Sequence, residues 1–441
     1  MTQHIYDVIG VGLGPFNLGL AALTEETDEI DAVFFEKQEE FNWHPGMMIH
    51  GTTLQVPFFA DLVSLADVKS DYSFLNYLQQ NGRLYHFYFL EKFHISRKEY
   101  NDYCRWVSEQ LSTCQFGMEV TSVRPIVSCG KQIYEVIVSH FSRREEVYYT
   151  ENIAMGIGSV ASIPHHLKGL GDTVFHSSEY MYKKDIVEQA QSITVVGSGQ
   201  SSAEIILDLI NQRGTSADIH WYTRSHGFFP MEYSKLGLEH FSPDYTNFFY
   251  KLTQEKKDKL LRKQDLLYKG ISAETIGDIY DALYEGTVGD PEMNVHLQAM
   301  SEIKAIESAG ESWIISGQQL VSEEEFERQS EIVILGTGYE PAVPHFLSPL
   351  SHELYWDEKG RYEVDENYAL KSDLTPSIYV QNGEMHTHGV GAPDLGLGAY
   401  RNSVIINSIA GKEIYPMQED YVFQTFGVEK MNRKKGTHVI R

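Results

Sequence analysis

Cysteine is scarce in this chain, and no two cysteines lie close together. The 3 cysteines are Cys104, Cys114 and Cys129, and none forms the C-x-x-C pair typical of a metal site or of a redox-active dithiol. This spacing excludes the chemistry of disulfide reductases. We therefore expect the thiols to be reduced and structural, and we expect no metal site.

Basic residues and long apolar runs are also lacking. The chain has 36 Lys and Arg against 62 Asp and Glu, a formal net charge of -26, which repels nucleic acid and anionic membranes and favours a cationic small molecule. No apolar stretch approaches the ~20 residues of a membrane span, and the N-terminal "MTQHIYDVIG" has no basic leader. We expect a soluble, cytoplasmic protein that binds neither nucleic acid nor membrane.

Internal repeats and low-complexity segments are absent as well, which excludes solenoids. What recurs in the 441 residues is a strand, a glycine turn and a helix, first in "YDVIGVGLGPFNLGLAAL" and again in "SITVVGSGQSSAEIILDLI". Two such units predict an α/β fold with two Rossmann-like dinucleotide-binding domains.

The order of the remaining segments suggests how the two domains are connected. The stretches "NIAMGIGS" (152–159) and "EIVILGTGYEP" (331–341) resemble strands returning to a nucleotide site, and if the second rejoins the first sheet, the second domain is inserted in the first. The helical pattern of 236–289 predicts a small substrate or cap region, and the basic tail "KMNRKKGTHVIR" is expected to be a solvated end. The predicted division is 1–165 and 325–441 for the first domain, 166–235 and 290–324 for the second, and 236–289 for the cap region.

The first glycine loop is suited to a pyrophosphate. Gly10, Gly12 and Gly14 precede a helix whose N-terminus supplies free N–H groups, and Pro15 is favourable in the first turn because no donor is missed there. The next strand ends in Glu36, whose carboxylate suits the ribose hydroxyls of an adenine dinucleotide. The alternative for Glu36 is a surface acid at the end of a strand.

The second loop predicts a different nucleotide. Gly197 and Gly199 are followed by Ser202 in the third position, and the next strand ends in Arg224 between two hydroxyl residues. An arginine in that place suits a 2′-phosphate, so we expect NADPH rather than NADH. The alternative for Arg224 is a solvated strand end.

Two dinucleotide domains in series favour a flavin- and pyridine-nucleotide-dependent oxidoreductase. Because the chain has no dithiol to receive the electrons, molecular oxygen is the expected acceptor.

Several segments together resemble one family, the bacterial N-hydroxylating flavin monooxygenases of siderophore synthesis, such as lysine and ornithine N-hydroxylases. The segments are "IGVGLGPFNLGLAAL", "FNWHPGMMI", "LQVPFFADLVSL", "YSFLNYL", "SRKEYNDYCRWV", "VVGSGQSSAE", "LGTGYEP" and "HTHGV". They cover nearly the whole chain in the order of the family. The resemblance implies bound FAD and NADPH and a homo-oligomer, either a dimer or a tetramer.

The resemblance also implies hydroxylation of a primary amine. NADPH reduces FAD, oxygen adds to the flavin, and the C4a-hydroperoxyflavin passes its distal oxygen to the neutral amine in a site that excludes water. A free alkylamine has a pKa near ~10.4, which a desolvated pocket lowers.

Residue roles follow from the matched motifs. Glu36 would bind the ribose of FAD, Trp43 and His44 would flank the isoalloxazine, and Gln55 would stand beside the reactive edge of the flavin. Considered alone, Trp43 would be a core aromatic and His44 a structural histidine. The FAD pyrophosphate would be lined by Gly10, Gly12, Gly14, Pro15 and Asn17, and NADPH would be held by Gly197, Gly199, Gln200, Ser201 and Arg224.

One departure from the family concerns the substrate. Members that act on amino acids typically read F-L-K-D-L where this chain reads "FFADL", so Ala60 replaces a lysine that pairs with the substrate α-carboxylate. A carboxylate without a partner in a desolvated site is costly, which favours a substrate that has no α-carboxylate. Ornithine enzymes also commonly carry an Asn-Tyr pair where this chain has Leu267 and Tyr268. The diamines putrescine and cadaverine fit this departure, but the sequence does not choose between them.

A diamine needs a partner for its second ammonium. Asp394, or in second place Glu384, is predicted to hold it, and the alternative is that Asp394 caps the following helix. The main hypothesis is therefore a diamine N-monooxygenase. Alternatives are an L-lysine N-hydroxylase with a relocated carboxylate partner, a sulfide or ketone monooxygenase, and a nucleotide-binding redox sensor without turnover.

Overall fold

The computed structural model of the protein describes residues 4–141, 144–289 and 293–428. The predicted basic tail at 430–441 lies outside these ranges, as do residues 290–292, where the second segment of the predicted second domain begins. The strands, in chain order, are β1 (Tyr6–Val11), β2 (Ala32–Glu36), β3 (Cys114–Phe116), β4 (Met118–Ser128), β5 (Lys131–His140), β6 (Glu145–Met155), β7 (Ser159–Ala161), β8 (Val174–His176), β9 (Ser192–Val196), β10 (Asp218–Tyr222), β11 (Val295–Gln298), β12 (Ser301–Ala309), β13 (Ser312–Gln319), β14 (Glu325–Ser330), β15 (Ile332–Leu335), β16 (Tyr339–Pro341) and β17 (Ile378–Val380).

The helices connect and cover these strands. The α-helices are α1 (Pro15–Glu25), α2 (Phe74–Gln80), α3 (Leu84–Leu90), α4 (Arg97–Gln110), α5 (Lys184–Gln189), α6 (Gln200–Arg213), α7 (Lys235–Leu238), α8 (Pro243–Tyr250), α9 (Gln254–Leu261), α10 (Asp265–Tyr268), α11 (Ala273–Gly286), α12 (Met385–His388) and α13 (Gly398–Ala410). Short 3-10 turns occupy Pro45–Met47, His165–Leu167, Ser177–Lys183, His345–Leu350 and Leu395–Leu397. None of the helices in the described ranges is long and apolar enough to cross a membrane.

The first sheet has the order β3-β2-β1-β6-β5-β4, and β17 also pairs with β6. The pairs among β1, β2, β3 and β6 are parallel, whereas β4, β5 and β6 form an antiparallel meander. Helix α1 packs its buried Leu18, Ala21 and Ala22 into the core of this domain, as the apolar pattern predicts.

The second sheet is parallel throughout and has the order β11-β10-β9-β15-β8. Helix α6 packs against the cap-region helix α11, and a separate antiparallel sheet, β12-β13-β14, lies nearby. Two nucleotide-type sheets with helical cover confirm the predicted fold class.

The segment 331–341 does not rejoin the first sheet, as the predicted domain division requires. Strand β15 pairs with β9 and β8 of the second sheet, because its apolar run fits between these two strands in register. The predicted boundary at residue 325 is therefore too early. The chain rejoins the first sheet through β17 instead, so the second unit is still inserted in the first.

Two chain segments connect the part of the protein built on the first sheet with the part built on the second, and they run side by side. β7 leaves the first sheet and β16 returns toward it, and the two pair antiparallel with Tyr339 opposite Ala161. Between β10 and β11 the described residues form the helices α7 to α11, and the assignment of 236–289 as a separate cap region stays a prediction.

Candidate active site

The first glycine loop forms an open anion-binding helix terminus. Gly12 has φ of +83°, and a Cβ there would lie 2.7 Å from the carbonyl oxygen of Gly156. Gly14 is the extended N-cap of α1 and Pro15 is its first residue, with no side-chain cap and no acid in the first turn. The terminal N–H groups are therefore available to a pyrophosphate, which is the fit expected for FAD. Gly10 serves packing, since its Cβ would collide with the Phe34 ring at 2.0 Å.

Glu36 lies where a ribose-binding acid is expected. Its carboxylate accepts hydrogen bonds from the backbone N–H of Leu13 at 2.8 Å and of Gln38 at 2.9 Å, which fixes it beside the glycine loop.

Asn17, by contrast, does not line the pyrophosphate site as predicted. It is completely buried, its amide donates to the carbonyls of Gly12 and Ala154, and its Oδ1 accepts from another buried amide. Asn17 thus supports the loop from behind.

The second loop repeats this geometry. Gly197 has φ of +125°, and a Cβ there would lie 2.1 Å from the carbonyl oxygen of Gly336. Helix α6 begins after Gly199 with neither a side-chain cap nor an acid in its first turn. The Ser198 hydroxyl contacts the Ser225 hydroxyl at 3.1 Å and joins the loop to the end of β10. This terminus fits the pyrophosphate of NADPH.

The side chains predicted to hold NADPH divide into two groups. Arg224 is exposed at the end of β10 and forms no hydrogen bond or ion pair with the described residues, so its guanidinium is available to a 2′-phosphate. Ser201 is half-buried in the first turn of α6. Gln200 does not face the nucleotide as predicted, because its amide is bound to Glu204, to Thr275 and to the N–H of Ser272 in the cap region.

A cavity of about 230 Å³ lies where the first unit, the cap region and the C-terminal segment meet. Its lining joins aromatic and aliphatic side chains to a few polar groups, the composition typical of a small-molecule site. The lining residues are Trp43, Thr53, Leu54, Gln55, Val56, Arg97, Met231, Tyr233, Phe241, Leu267, Tyr268, Pro393, Asp394 and Leu395.

Gln55 carries an unused donor in this cavity. Its Nε2 is buried without a hydrogen-bond partner, and its Oε1 receives only a long contact of 3.4 Å from the Tyr233 hydroxyl. Buried donors are rarely left unpaired, so this amide is suited to a ligand acceptor such as the flavin edge. Tyr233 carries no sequence signal, because no motif surrounds it. Burial and then the Asp394 charge raise its pKa well above the ordinary value.

Trp43 and His44 stand together at the same cleft. Their ring centroids are 5.0 Å apart, and Trp43 lines the cavity. His44 has φ of 48°, in the left-handed region, and begins the 3-10 turn that follows. Its side chain is exposed, yet desolvation by the surrounding protein and then the Arg97 charge lower its pKa to about 4. The imidazole is therefore neutral at neutral pH.

Asp394 and Ala60 flank the same short backbone segment. A β-carbon added to Gly396 would lie 2.8 Å from Asp394 Oδ1 and 3.8 Å from the Cβ of Ala60. Asp394 Oδ1 accepts a hydrogen bond from the N–H of Gly396 at 2.7 Å, so this oxygen caps the following 3-10 turn. The other oxygen, Oδ2, accepts no hydrogen bond from the described residues. Burial raises the pKa of Asp394 to about 6. Asp394 lines the cavity, and Ala60 is buried just behind the lining.

Glu384, the second choice for the distal ammonium, does not reach the cavity. It is fully buried and forms an ion pair with Arg401, whose Nε lies 3.1 Å from Glu384 Oε1. Arg401 in turn donates to the carbonyl oxygen of Ala392 at 2.5 Å, two residues before Asp394. Glu384 therefore helps to fix the loop that carries Asp394, and the prediction that it binds substrate is wrong.

A buried ion pair connects the two units beside the cavity. The guanidinium of Arg97 binds Glu204 through two hydrogen bonds, at 2.8 and 2.7 Å, and so ties α4 to α6. The side chains are only 14% and 4% exposed. Arg97 lies within the segment "SRKEYNDYCRWV", but no sequence pattern indicates its role, since its partner is 107 positions away.

Two open helix termini suited to anions, together with a cavity that has an unpaired amide in its lining, are the features of a flavin- and pyridine-nucleotide-dependent oxidoreductase. The three cysteines are free, and two of them are buried, so the described residues contain no dithiol that would divert the electrons. Residues 4–341 match the family described as L-lysine 6-monooxygenase/L-ornithine 5-monooxygenase, and the chain belongs to this family.

Named relatives agree with this assignment. The chain is 41% identical to a putrescine N-hydroxylase of Acinetobacter baumannii over 429 residues, 96% of this chain and 94% of the relative. The FAD-bound cadaverine monooxygenase of the desferrioxamine pathway from Erwinia amylovora superposes with a TM-score of 0.92 at 39% identity, covering 96% and 99% of the two chains. An ornithine N-hydroxylase of Kutzneria sp. 744, solved with reduced FAD, NADP+ and L-ornithine, has a TM-score of 0.86 at 27% identity, covering 92% and 99%.

The protein is thus a flavin-dependent N-hydroxylating monooxygenase that uses FAD and NADPH. The predicted family, enzyme class and cofactors are confirmed. The two alternatives outside this class, a sulfide or ketone monooxygenase and a redox sensor, are not supported.

Replacing Arg224 should reduce the use of NADPH more than that of NADH. Arg224→Ala removes the cation suited to the 2′-phosphate, which NADH lacks, so the KM for NADPH should rise by about tenfold while the KM for NADH changes little. The measurement is the rate of anaerobic flavin reduction as a function of each nucleotide. Arg213→Ala is a control, because Arg213 lies at the far end of α6. Equal losses with both nucleotides would contradict the assignment.

Proposed function

We propose that this enzyme N-hydroxylates one primary amine of an aliphatic diamine, putrescine or cadaverine, for a hydroxamate siderophore, and that it acts in the cytoplasm. The reaction converts R–NH2, O2, NADPH and H+ into R–NHOH, H2O and NADP+. The buried, unpaired thiols support a reducing compartment. The names of the relatives from Acinetobacter and Erwinia support a diamine substrate.

The observation that carries the proposal is the charge of the cavity wall. Asp394 presents a carboxylate oxygen without a protein partner, which is suited to an ammonium. Arg97 is the one cation among the described lining residues, and Glu204 already binds it through both nitrogens. An α-carboxylate would therefore meet Asp394 without a free cation, and this disfavours lysine and ornithine.

The side chains in the cavity mainly position the substrate and keep water away from its reacting nitrogen. Bound FAD supplies the activation of oxygen. Gln55 offers its free Nε2–H to the flavin side, and the apolar Leu267 and Phe241 exclude water from the reacting nitrogen. Holding the distal ammonium on Asp394 leaves the other end of the diamine, in the less polar part of the cavity, in the neutral form that reacts.

Activity toward a diamine should fall on acidification through about pH 6. Burial raises the pKa of Asp394 to about 6, so its carboxylate is charged above this pH and neutral below it. Loss of the charge removes the ammonium partner, and log kcat/KM should decrease with a slope of one. The profile should be recorded together with that of Asp394→Asn, which should lack this step. An identical step in the variant would assign it to another group.

The test of the proposal is product formation by the FAD-loaded enzyme with NADPH and each of putrescine, cadaverine, lysine and ornithine. Mass spectrometry should find the N-hydroxydiamine as the main product and little N-hydroxyamino acid. Robust hydroxylation of lysine would instead support an L-lysine N-hydroxylase, and NADPH oxidation without hydroxylamine would oppose both readings.

We also infer a homo-oligomer, dimer or tetramer, from an exposed apolar surface. Helix α3 contains no buried residue, and Tyr85, Tyr88 and Phe89 are each more than 70% exposed, with Phe93 close by. Contiguous aromatic surface of this kind is typical of an interface. Light scattering of Tyr88→Glu/Phe89→Glu should show a smaller species than the parent, and an unchanged mass would place the interface elsewhere.

A further inference from the structure

Three metal-ligating side chains meet on the second sheet, although the sequence predicted no metal site. Asp218 and His220 are two residues apart on β10, so they share one face of the sheet. His296 lies directly opposite His220 in the register of β10 with β11. One ligand atom from each of the three side chains lies within 4.8 Å of the others. The separation of 218 and 296 along the chain explains why no motif revealed the cluster.

We propose that Asp218, His220 and His296 bind a borderline divalent cation, with Zn2+ as the best fit. Nε2 of His220 is 3.0 Å and Nε2 of His296 is 3.7 Å from the same oxygen, Asp218 Oδ1. Metal–ligand bonds of about 2.0–2.2 Å at tetrahedral angles separate donor atoms by roughly 3.3–3.6 Å, so Asp218 Oδ1 lies near the required distance from both nitrogens. The two imidazole rings are stacked, with centroids 4.6 Å apart and planes 19° apart, so the exposed His296 ring would turn to bring both nitrogens onto one ion. Mg2+ and Ca2+ fit poorly because they prefer oxygen ligands alone.

Neighbouring groups orient these ligands in the way usual for metal sites. Arg328 binds the other carboxylate oxygen, Asp218 Oδ2, which leaves Oδ1 turned toward the imidazoles. The Tyr222 hydroxyl lies 3.4 Å from Nδ1 of His220, so the proton of this ring can reside on Nδ1 and leave Nε2 free for the cation. The charges of Arg328 and Asp218 cancel, so cation binding would depend on direct coordination by the two imidazole nitrogens and the carboxylate oxygen.

The cation would reach the site from one side. The His220 side chain is 10% exposed and that of His296 is 56% exposed. The three protein ligands leave a fourth position for water on the exposed side. Because β11 is the edge strand of the sheet, the cation would fasten this edge to β10.

The experiment measures Zn2+ bound per chain by the FAD-loaded enzyme, in competition with a chromophoric chelator. All proteins carry Cys129→Ser, since that thiol is exposed and also binds zinc. His296→Ala removes an exposed ligand without disturbing the core. The matched control is His165→Ala/His166→Ala, which removes two other exposed histidines.

One Zn2+ per chain is expected for the parent and for the control. His296→Ala should weaken binding by more than about 100-fold, because loss of a direct ligand should exceed the 10- to 100-fold effect of outer groups. Zn2+ should also raise the unfolding temperature of the parent but not that of His296→Ala, and X-ray absorption should show two imidazoles on the metal. Failure of the parent to bind Zn2+, or equal binding by His296→Ala, would overturn the proposal.

Discussion

Asp394→Asn should raise the KM for putrescine and cadaverine by about 10- to 100-fold, which corresponds to the ~1.5–3 kcal/mol of a hydrogen bond to a charged group. The asparagine keeps an oxygen for the N–H of Gly396, so the turn at Leu395–Leu397 is retained and only the charge is lost. Because the residues predicted to hold NADPH do not include Asp394, the rate of flavin reduction by NADPH should be unchanged. Steady-state hydroxylamine formation and stopped-flow reduction separate the two effects.

Asp265→Asn is the matched control for this variant. Asp265 lies in the same cap region, is half exposed and does not itself line the cavity. It pairs with Lys269 and accepts a hydrogen bond of 3.3 Å from the hydroxyl of the lining residue Tyr268, which an asparagine oxygen can still accept. It should leave the KM for the diamine within about twofold, since surface pairs contribute little. If Asp394→Asn behaves like Asp265→Asn, the distal ammonium is held elsewhere.

Arg97→Ala should lower the free energy of unfolding by about 3–5 kcal/mol, the usual cost of removing one partner from a buried ion pair. It leaves the Glu204 carboxylate, whose side chain is 4% exposed, without its bidentate partner, and only the Gln200 amide remains. Burial raises the pKa of Glu204 and Arg97 opposes that shift. Without Arg97, Glu204 takes up a proton more readily, so the loss of stability should be smaller at pH 6 than at pH 8. Urea denaturation of the FAD-loaded protein at both pH values measures this.

Two control variants show whether the loss of stability in Arg97→Ala comes from an unpaired buried charge. Lys412→Ala breaks an exposed pair with Glu29 and should cost less than about 1 kcal/mol. Arg97→Met/Glu204→Leu removes both charges and should recover most of the stability, because no unpaired charge stays buried. If the double variant is as unstable as Arg97→Ala, packing and not charge accounts for the effect.

The sequence predicts those parts of the site that depend on local patterns. The two glycine loops, Glu36 at a strand end and Arg224 at another lie where strand-turn-helix order places them, because parallel strands bring their carboxyl ends to one edge. Ala60 and Asp394 lie 334 positions apart, yet the family comparison of "FFADL" was enough to suggest a changed substrate partner. Asp61, the acid next to Ala60, is structural, since its carboxylate accepts from Val63, Ser64 and Phe74.

The errors arise where tertiary contacts decide which way a side chain points. Asn17 and Gln200 follow glycine loops as the motif requires, but each amide is used up by backbone and side-chain partners that are distant in sequence. The sequence predicts Glu384 as the second choice for the distal ammonium, whereas Arg401 of α13 holds it in the core. For the same reason Tyr233, the Arg97–Glu204 pair and the Asp218, His220 and His296 cluster carry no sequence signal.

The central claim, a preference for diamines set by the charge of Asp394, is tested most directly by competition. Equal concentrations of putrescine and ornithine, and separately of cadaverine and lysine, are offered to the FAD-loaded enzyme with NADPH, and the two products are quantified by mass spectrometry. The hydroxylated diamine should exceed the hydroxylated amino acid in at least one pair by about 100-fold or more, and the ratio should collapse toward one in Asp394→Asn. Product from the amino acid at an equal or higher level in both pairs, or a ratio unchanged in Asp394→Asn, would contradict the account.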